Sequence, residues 1–144
     1  MSRWERAREG EGQVVTIVGE AGIGKSRLVQ EFHDRIAADR HTWLECATAG
    51  FFQNTPFYAV AEMLRESFHW HNHHNDERRL AALEASLAST GVELATAVPL
   101  IAFLLEIPLR DEYARLTMPP DQQRKRLLAT LVAWTVGAAR AQPL

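Results

Sequence analysis

The stretch VVTIVGEAGIGKSRLVQEF, from Val14 to Phe32, decides the fold because it joins a β-branched run, a glycine-rich loop and the start of a helical pattern. The run from Val14 to Val18 ends at Gly19 and is typical of a strand buried on both faces of a parallel sheet. After Gly24 the apolar side chains recur at helical spacing, as Leu28, Val29, Phe32 and Ile36. The segment therefore predicts a strand, a loop and a helix, in that order.

The loop GEAGIGKS, Gly19 to Ser26, fits the phosphate-binding pattern G-x-x-x-x-G-K-[ST] at every defined position. Its glycines allow the backbone to turn amide hydrogens inward, and the helix that follows adds unpaired N–H groups and a positive dipole end. Lys25 supplies a charge for the β- and γ-phosphates, and Ser26 a hydroxyl ligand for Mg²⁺. The predicted cofactors are ATP and Mg²⁺, with GTP left open.

The predicted nucleotide-binding residues extend one position beyond the loop, and Ser26 is also the predicted metal ligand. Glu20 and Arg27 flank the phosphates as solvated side chains, and no residue is assigned a catalytic role. The full predicted set is Gly19, Glu20, Ala21, Gly22, Ile23, Gly24, Lys25, Ser26 and Arg27.

Composition indicates an ordinary soluble chain, with 144 residues of which 47% are apolar and 24% charged. The net charge of -2 gives no global positive field, so neither nucleic acid nor an anionic membrane is an expected partner. No apolar run approaches the roughly 20 residues that span a bilayer, and the first residues lack a signal-peptide pattern. Cys46 is the only cysteine, which fits a reducing compartment, and it is predicted to lie in a buried strand. We expect a cytoplasmic protein.

The rest of the chain is predicted to be mainly helical. Thr42 to Ala47 is a second strand candidate, so residues 13–47 have the size of a βαβ unit. Residues 48–54 form a predicted loop, and residues 55–141 a helical portion. Four helices are predicted there: one opened by Thr55-Pro56, one from about Asp76 to Gly91, one carrying Leu100 to Leu105 that Pro99 starts or kinks, and one from Pro119-Pro120 to about Arg140.

Several segments resemble the AAA-like ATPase modules of large signalling proteins, which are related to the STAND class. They are GQVVTIVGEAGIGKSRLVQEF, FFQNTPFYAVAEMLRE, AVPLIAFLLEIPL, PPDQQRKRLLATLVAW and ARAQPL, and together they cover nearly the whole chain. Such modules occur beside class III adenylyl/guanylyl cyclase domains or in multidomain transcriptional regulators. The resemblance implies an α/β P-loop NTPase with a three-layer parallel sheet, with the rest of a larger chain as its partner. Ala21 departs from the family, which commonly has proline there.

The resemblance also implies that the chain is the N-terminal portion of the module. In the family, a segment like ARAQPL leads into an apolar strand ending in acidic residues, the Walker B element, and the sequence ends at Leu144 before it. We therefore expect a single partial domain over residues 1–144, an incomplete sheet and little hydrolysis. Val14 to Val18 would lack strand neighbours, so the fragment would be marginal or prone to aggregate.

Two segments imitate functional elements. Leu100 to Leu105 followed by Glu106 resembles a Walker B strand, which would make Glu106 the catalytic base. The preceding Pro99 and the Leu/Ala composition favour a helix instead. The tract HWHNHH, His69 to His74, could bind Zn²⁺ or Ni²⁺, but Asn72 and Asn75 as turn residues and the lack of a companion cysteine favour a polar loop between helices.

Three alternatives to a nucleotide-binding module remain open from the sequence. One is a helical protein-interaction segment with a vestigial loop, which would bind its partner regardless of nucleotide. Another is a small phosphotransferase, which needs an acidic base and an arginine-bearing lid, neither of which is evident. The last is a gene fragment without an independent function.

Overall fold

The computed structural model describes residues 2–46, 56–70 and 75–144 of the chain. The chain divides into two compact units, one formed by Met1–Thr42 with Arg140–Leu144 and the other by Trp43–Ala139. The helices are α1 (Arg3–Arg8), α2 (Lys25–Ile36), α3 (Tyr58–Ser67), α4 (Asp76–Ala88), α5 (Leu94–Leu105) and α6 (Pro120–Ala139).

The first unit is held together by side chains of α1 and by the end of the chain. Ser2 and Glu5 form a capping box that begins α1. Trp4 then donates from Nε1 to Asp39 Oδ2 at 2.6 Å and meets the ring of Phe32 edge-on, with centroids 6.0 Å apart. These contacts attach α1 to α2 and to the segment that follows α2.

The predicted parallel sheet is wrong, because the described residues contain no strand. Val14 and Val18 are 84% and 88% exposed, although the sequence predicted a strand buried on both faces. A strand exists only where a neighbouring strand accepts its backbone hydrogen bonds, and none lies beside Val14 to Val18 in the described part of the chain. The described chain is therefore helical rather than α/β.

The second predicted strand, Thr42 to Ala47, is also absent over its described residues, and Ala47 lies outside them. Thr42 donates its backbone N–H to the carbonyl of Pro143 at 2.8 Å, within the first unit. That single bond ties the chain end to this segment without forming a ladder. Cys46 is accordingly exposed and not in a buried strand as predicted.

The second unit is a helical cluster centred on α5, which packs against α3, α4 and α6. Asn75 begins α4 by accepting a hydrogen bond from the Arg78 N–H at 2.9 Å. The inward side chains predicted for this helix are confirmed as buried: Leu80, Leu83 and Leu87. The remaining core side chains come mainly from α5, among them Ala97, Val98, Leu100, Ile101, Ala102 and Leu105.

The helical interpretation of Leu100 to Leu105 is confirmed, because these residues form the last half of α5. Pro99 lies inside this helix, which begins at Leu94. Glu106 ends it in a left-handed conformation with φ of 57°, so it does not follow a strand as a Walker B acid would. The long helix predicted from Pro119-Pro120 is confirmed as α6.

The helix predicted to open at Thr55-Pro56 begins at Tyr58, after Phe57 with φ of 62°. Thr55 and the loop predicted at 48–54 lie outside the described residues, as do His71 to His74 of the histidine tract. The metal and loop interpretations of that tract therefore stay predictions. In the described ranges, no helix combines the length and the apolar character needed to cross a bilayer.

Candidate functional site

The phosphate-loop pattern lies where the chain enters α2, and two of its glycines have positive φ. Gly22 has φ of 81°, and Gly24, which precedes α2, has φ of 99°. A side chain at such a position costs roughly 1–2 kcal/mol, so the backbone path requires glycine there. Between them, Ile23 donates its N–H to the Glu20 carbonyl at 3.4 Å and closes a turn.

The first turn of α2 presents unpaired backbone donors. The first hydrogen bond into the helix runs from the Leu28 N–H to the Gly24 carbonyl at 3.0 Å. The N–H groups of Lys25, Ser26 and Arg27 precede it and have no acceptor within the described ranges. The first turn holds no acidic residue that would offset the positive end of the helix dipole. These features make the start of α2 suited to an anion.

Lys25 holds the loop closed on itself. Its Nζ donates to the carbonyls of Gly19 at 2.9 Å and of Glu20 at 2.7 Å. Lys25 is half-buried, whereas the loop residues around it are exposed. No acidic side chain pairs with it in the part of the chain that the structure describes. Its charge is thus shared with neutral carbonyls, which a phosphate can replace as stronger acceptors.

The structure places every predicted site residue in one continuous segment. A Cβ added to Gly19 would lie 3.0 Å from Cγ2 of Ile23, a contact that the exposed Ile23 side chain could relieve by moving. The side chains of Glu20, Ser26 and Arg27 are exposed at the surface of the segment. Nucleotide binding by these residues remains a prediction, and so does Mg²⁺ binding by Ser26.

Sequence reasoning did not find the two hydrogen bonds of Lys25. The phosphate-loop pattern specifies which residue types meet a phosphate, but it contains no signal for the carbonyls of Gly19 and Glu20 as acceptors of the lysine. The capping box formed by Ser2 and Glu5 was by contrast readable as S-x-x-E and marks α1, which the sequence interpretation missed.

Comparison with known proteins gives one family and one curated relative. The AAA ATPase domain family matches residues 1–144, the whole chain. The protein named "Uncharacterized protein R02095" from Rhizobium meliloti (strain 1021) is 46% identical over 50 residues, which are 33% of this chain and 5% of the relative. The aligned region thus spans only a small part of that relative's length. No solved structure matches the chain.

Proposed function

Because the chain belongs to the family of AAA ATPase domains, we propose that its Gly19–Ser26 loop binds ATP with Mg²⁺ and acts as the nucleotide-binding part of a regulatory ATPase. The family accounts for a nucleotide-binding, ATPase-like module. ATP as the nucleotide and a STAND-type signalling role go further and are our proposals. The observation that supports phosphate binding by the loop is the half-buried Lys25 beside the unpaired N–H groups of α2.

Different groups of the loop would contact different parts of a bound triphosphate. Lys25 exchanges the carbonyls of Gly19 and Glu20 for oxygens of the β- and γ-phosphates. The N–H groups at the start of α2 donate to the same phosphates, and the dipole of α2 favours their negative charge. Ser26 provides a hydroxyl ligand for Mg²⁺, which neutralises phosphate charge when bound.

We propose that nucleotide binding rather than rapid turnover is the regulatory event. Among the described residues, neither Lys25 nor Ser26 has an acidic partner that could orient an attacking water. The module would work within a larger cytoplasmic chain. The much longer relative, of which the aligned region is 5%, supports that setting.

A helical protein-interaction segment is the second candidate, and the outer face of α6 favours it. Leu128, Val132 and Val136 recur every fourth residue, and Val132 is 61% exposed. Such a stripe can contact a partner helix whether or not the loop holds a nucleotide. The two candidates differ in whether the chain binds ATP at all.

Calorimetry with ATP and Mg²⁺ tests the proposal on the whole chain. Lys25→Ala removes the charged donor, so we expect affinity to fall roughly 10- to 100-fold or below detection. Lys125→Ala is the matched control, because Lys125 is an exposed lysine on α6 and should leave affinity unchanged.

Two outcomes would contradict the site. Equal affinity of the Lys25→Ala variant and the wild type would show that the nucleotide binds elsewhere. Absence of binding heat in a wild-type sample with native helical circular dichroism would leave the interaction segment as the better account.

A further inference from the structure

A 14-residue connection, residues 106–119, links α5 to α6 and is called the strap here. Connections of more than about 12–15 residues without secondary structure are uncommon in compact domains and often have a function. The backbone hydrogen bonds of the strap are local: Ile107 donates to the Ala102 carbonyl at 2.9 Å, and Tyr113 to the Arg110 carbonyl at 3.1 Å. Within the described ranges, none joins the strap backbone to α4.

One carboxylate on α4 holds the strap instead. Glu84 accepts a hydrogen bond from Tyr113 Oη at 2.6 Å and another from Arg110 Nη2 at 2.9 Å. Its side chain is 18% exposed, so the charge is partly shielded from water. Arg110 also donates from Nη1 to Glu112 at 2.7 Å, within the strap itself. Glu84 is therefore the point at which two strap side chains meet α4.

The bond to Glu84 keeps apolar residues of the strap on the helical core. Ile107 is buried, and Leu109, Tyr113 and Leu116 pack against the core cluster. Apolar contacts have no preferred direction, whereas the two hydrogen bonds of Glu84 fix where the strap lies. Loss of Glu84 should thus loosen the strap more than the helices beneath it.

We propose that the strap is a latched segment that opens as a unit while α3 to α6 stay folded, with Glu84 as its latch. Opening breaks side-chain bonds and exposes a few apolar groups, but it breaks no backbone bond to α4 in the described chain. Segments of this kind open at lower free energy than core helices. The device does not depend on nucleotide binding by the Gly19–Ser26 loop.

The pKa of Tyr113 also reports whether the strap is attached to Glu84. Partial burial, the hydrogen bond to Glu84 and the charges of Glu84 and Glu112 together raise the pKa of Tyr113 to about 12, against the opposing charge of Arg110. A raised pKa means that the neutral phenol stabilises the latched state. This contribution is fully present below the ordinary tyrosine pKa of about 10 and is lost as the pH rises through about 12.

Amide hydrogen exchange on Glu84→Ala tests the latch. We expect exchange of the Ile107 and Tyr113 amides, which donate to the Ala102 and Arg110 carbonyls, to quicken roughly 10- to 100-fold, because two hydrogen bonds to a charged group are lost. The core amides of α4 and α5 should change much less. Glu112→Ala is the matched control: it removes the other carboxylate bound to Arg110 but leaves the strap attached to α4.

Tyr113→Phe provides a second variant for the exchange measurement, because it keeps the core intact and removes one of the two hydrogen bonds to Glu84.

The titration of Tyr113 is a separate measurement and uses a chain that keeps this tyrosine. The sequence has two tyrosines, so in a Tyr58→Phe background the ultraviolet titration midpoint belongs to Tyr113. That midpoint should fall toward 10 when Glu84 is replaced by alanine. Unchanged strap exchange in both latch variants would overturn the proposal. Equal quickening of strap and core amides would do the same.

Discussion

Lys25 shows how a single side chain can link two positions of the phosphate-loop segment. Its two bonds to the carbonyls of Gly19 and Glu20 hold the loop in a closed path. The position of Lys25 was predictable because the phosphate-loop pattern is local and chemically specific. The hydrogen-bond acceptors of Lys25 were not predictable, because every residue has a backbone carbonyl and the sequence does not specify which ones accept.

Substitution of Gly24 tests whether the backbone conformation of the loop matters for ATP binding, because it changes no side chain that contacts phosphate. It has φ of 99°, and a Cβ added there meets no atom within 4 Å. Gly24→Ala meets no steric contact, but alanine holds this conformation at a cost of roughly 1–2 kcal/mol, so the free loop should leave it and ATP binding must restore it. The affinity for ATP should therefore fall several-fold to about 30-fold. Calorimetry measures the change directly.

Gly12→Ala is the control for that experiment. Gly12 also meets no atom within 4 Å of an added Cβ, and its φ lies outside the left-handed region. Its affinity for ATP should match the wild type. An unchanged affinity in Gly24→Ala would contradict the expectation that ATP binding depends on glycine at this left-handed position.

Among the secondary-structure elements, the helices of the second unit were predictable, whereas α1 was missed and the predicted strands are absent from the described residues. Local signals were sufficient for those helices: Asn75 caps α4, and α6 begins with Pro120 and has Asp121 in its first turn. Val14 to Val18 has the residue types of a buried strand, but strand formation depends on a neighbour that local sequence does not supply. The prediction failed there because the decisive interaction is non-local.

Gly137 provides a test of packing between elements of the second unit. It lies in α6, and a Cβ at this position would lie 2.5 Å from the Thr90 carbonyl oxygen and 2.6 Å from Thr90 Cβ. Helix propensity alone predicts that Gly137→Ala stabilises the protein by up to about 1 kcal/mol. The close contact predicts the opposite, a loss of roughly 1–3 kcal/mol in the free energy of unfolding.

Urea unfolding followed by circular dichroism decides between the two effects. Ala129→Gly, on the exposed side of α6, measures the difference in helix propensity between alanine and glycine alone. It should lower the free energy of unfolding by about 1 kcal/mol. A higher urea midpoint for Gly137→Ala than for the wild type would show that α6 does not approach Thr90 as closely as the structure places it.

The two units of the molecule differ in how far their apolar side chains are exposed to solvent. The second unit buries almost all of its core, including Leu83 and Val98 with no exposed area. The first unit has Ile36 as its buried hydrophobic residue in the described chain, and it exposes Val14, Val15, Val18, Ile23 and Leu28. Exposed apolar surface of this extent is a site for association.

The exposed valines therefore predict concentration-dependent self-association of the 144-residue chain. Val14 to Val18 has no strand neighbour in the described chain, and apart from the Val14 carbonyl, which accepts from Arg3, its backbone donors and acceptors can join those of another copy. Val14→Lys with Val18→Lys adds charge to this segment, and we expect sedimentation to show a shift toward monomer with helical content unchanged. The matched double variant, Leu128→Lys with Val132→Lys, places the same charge on the exposed stripe of α6. If the α6 variant alone suppresses association, the surface responsible belongs to the second unit and the exposed valines are not the cause.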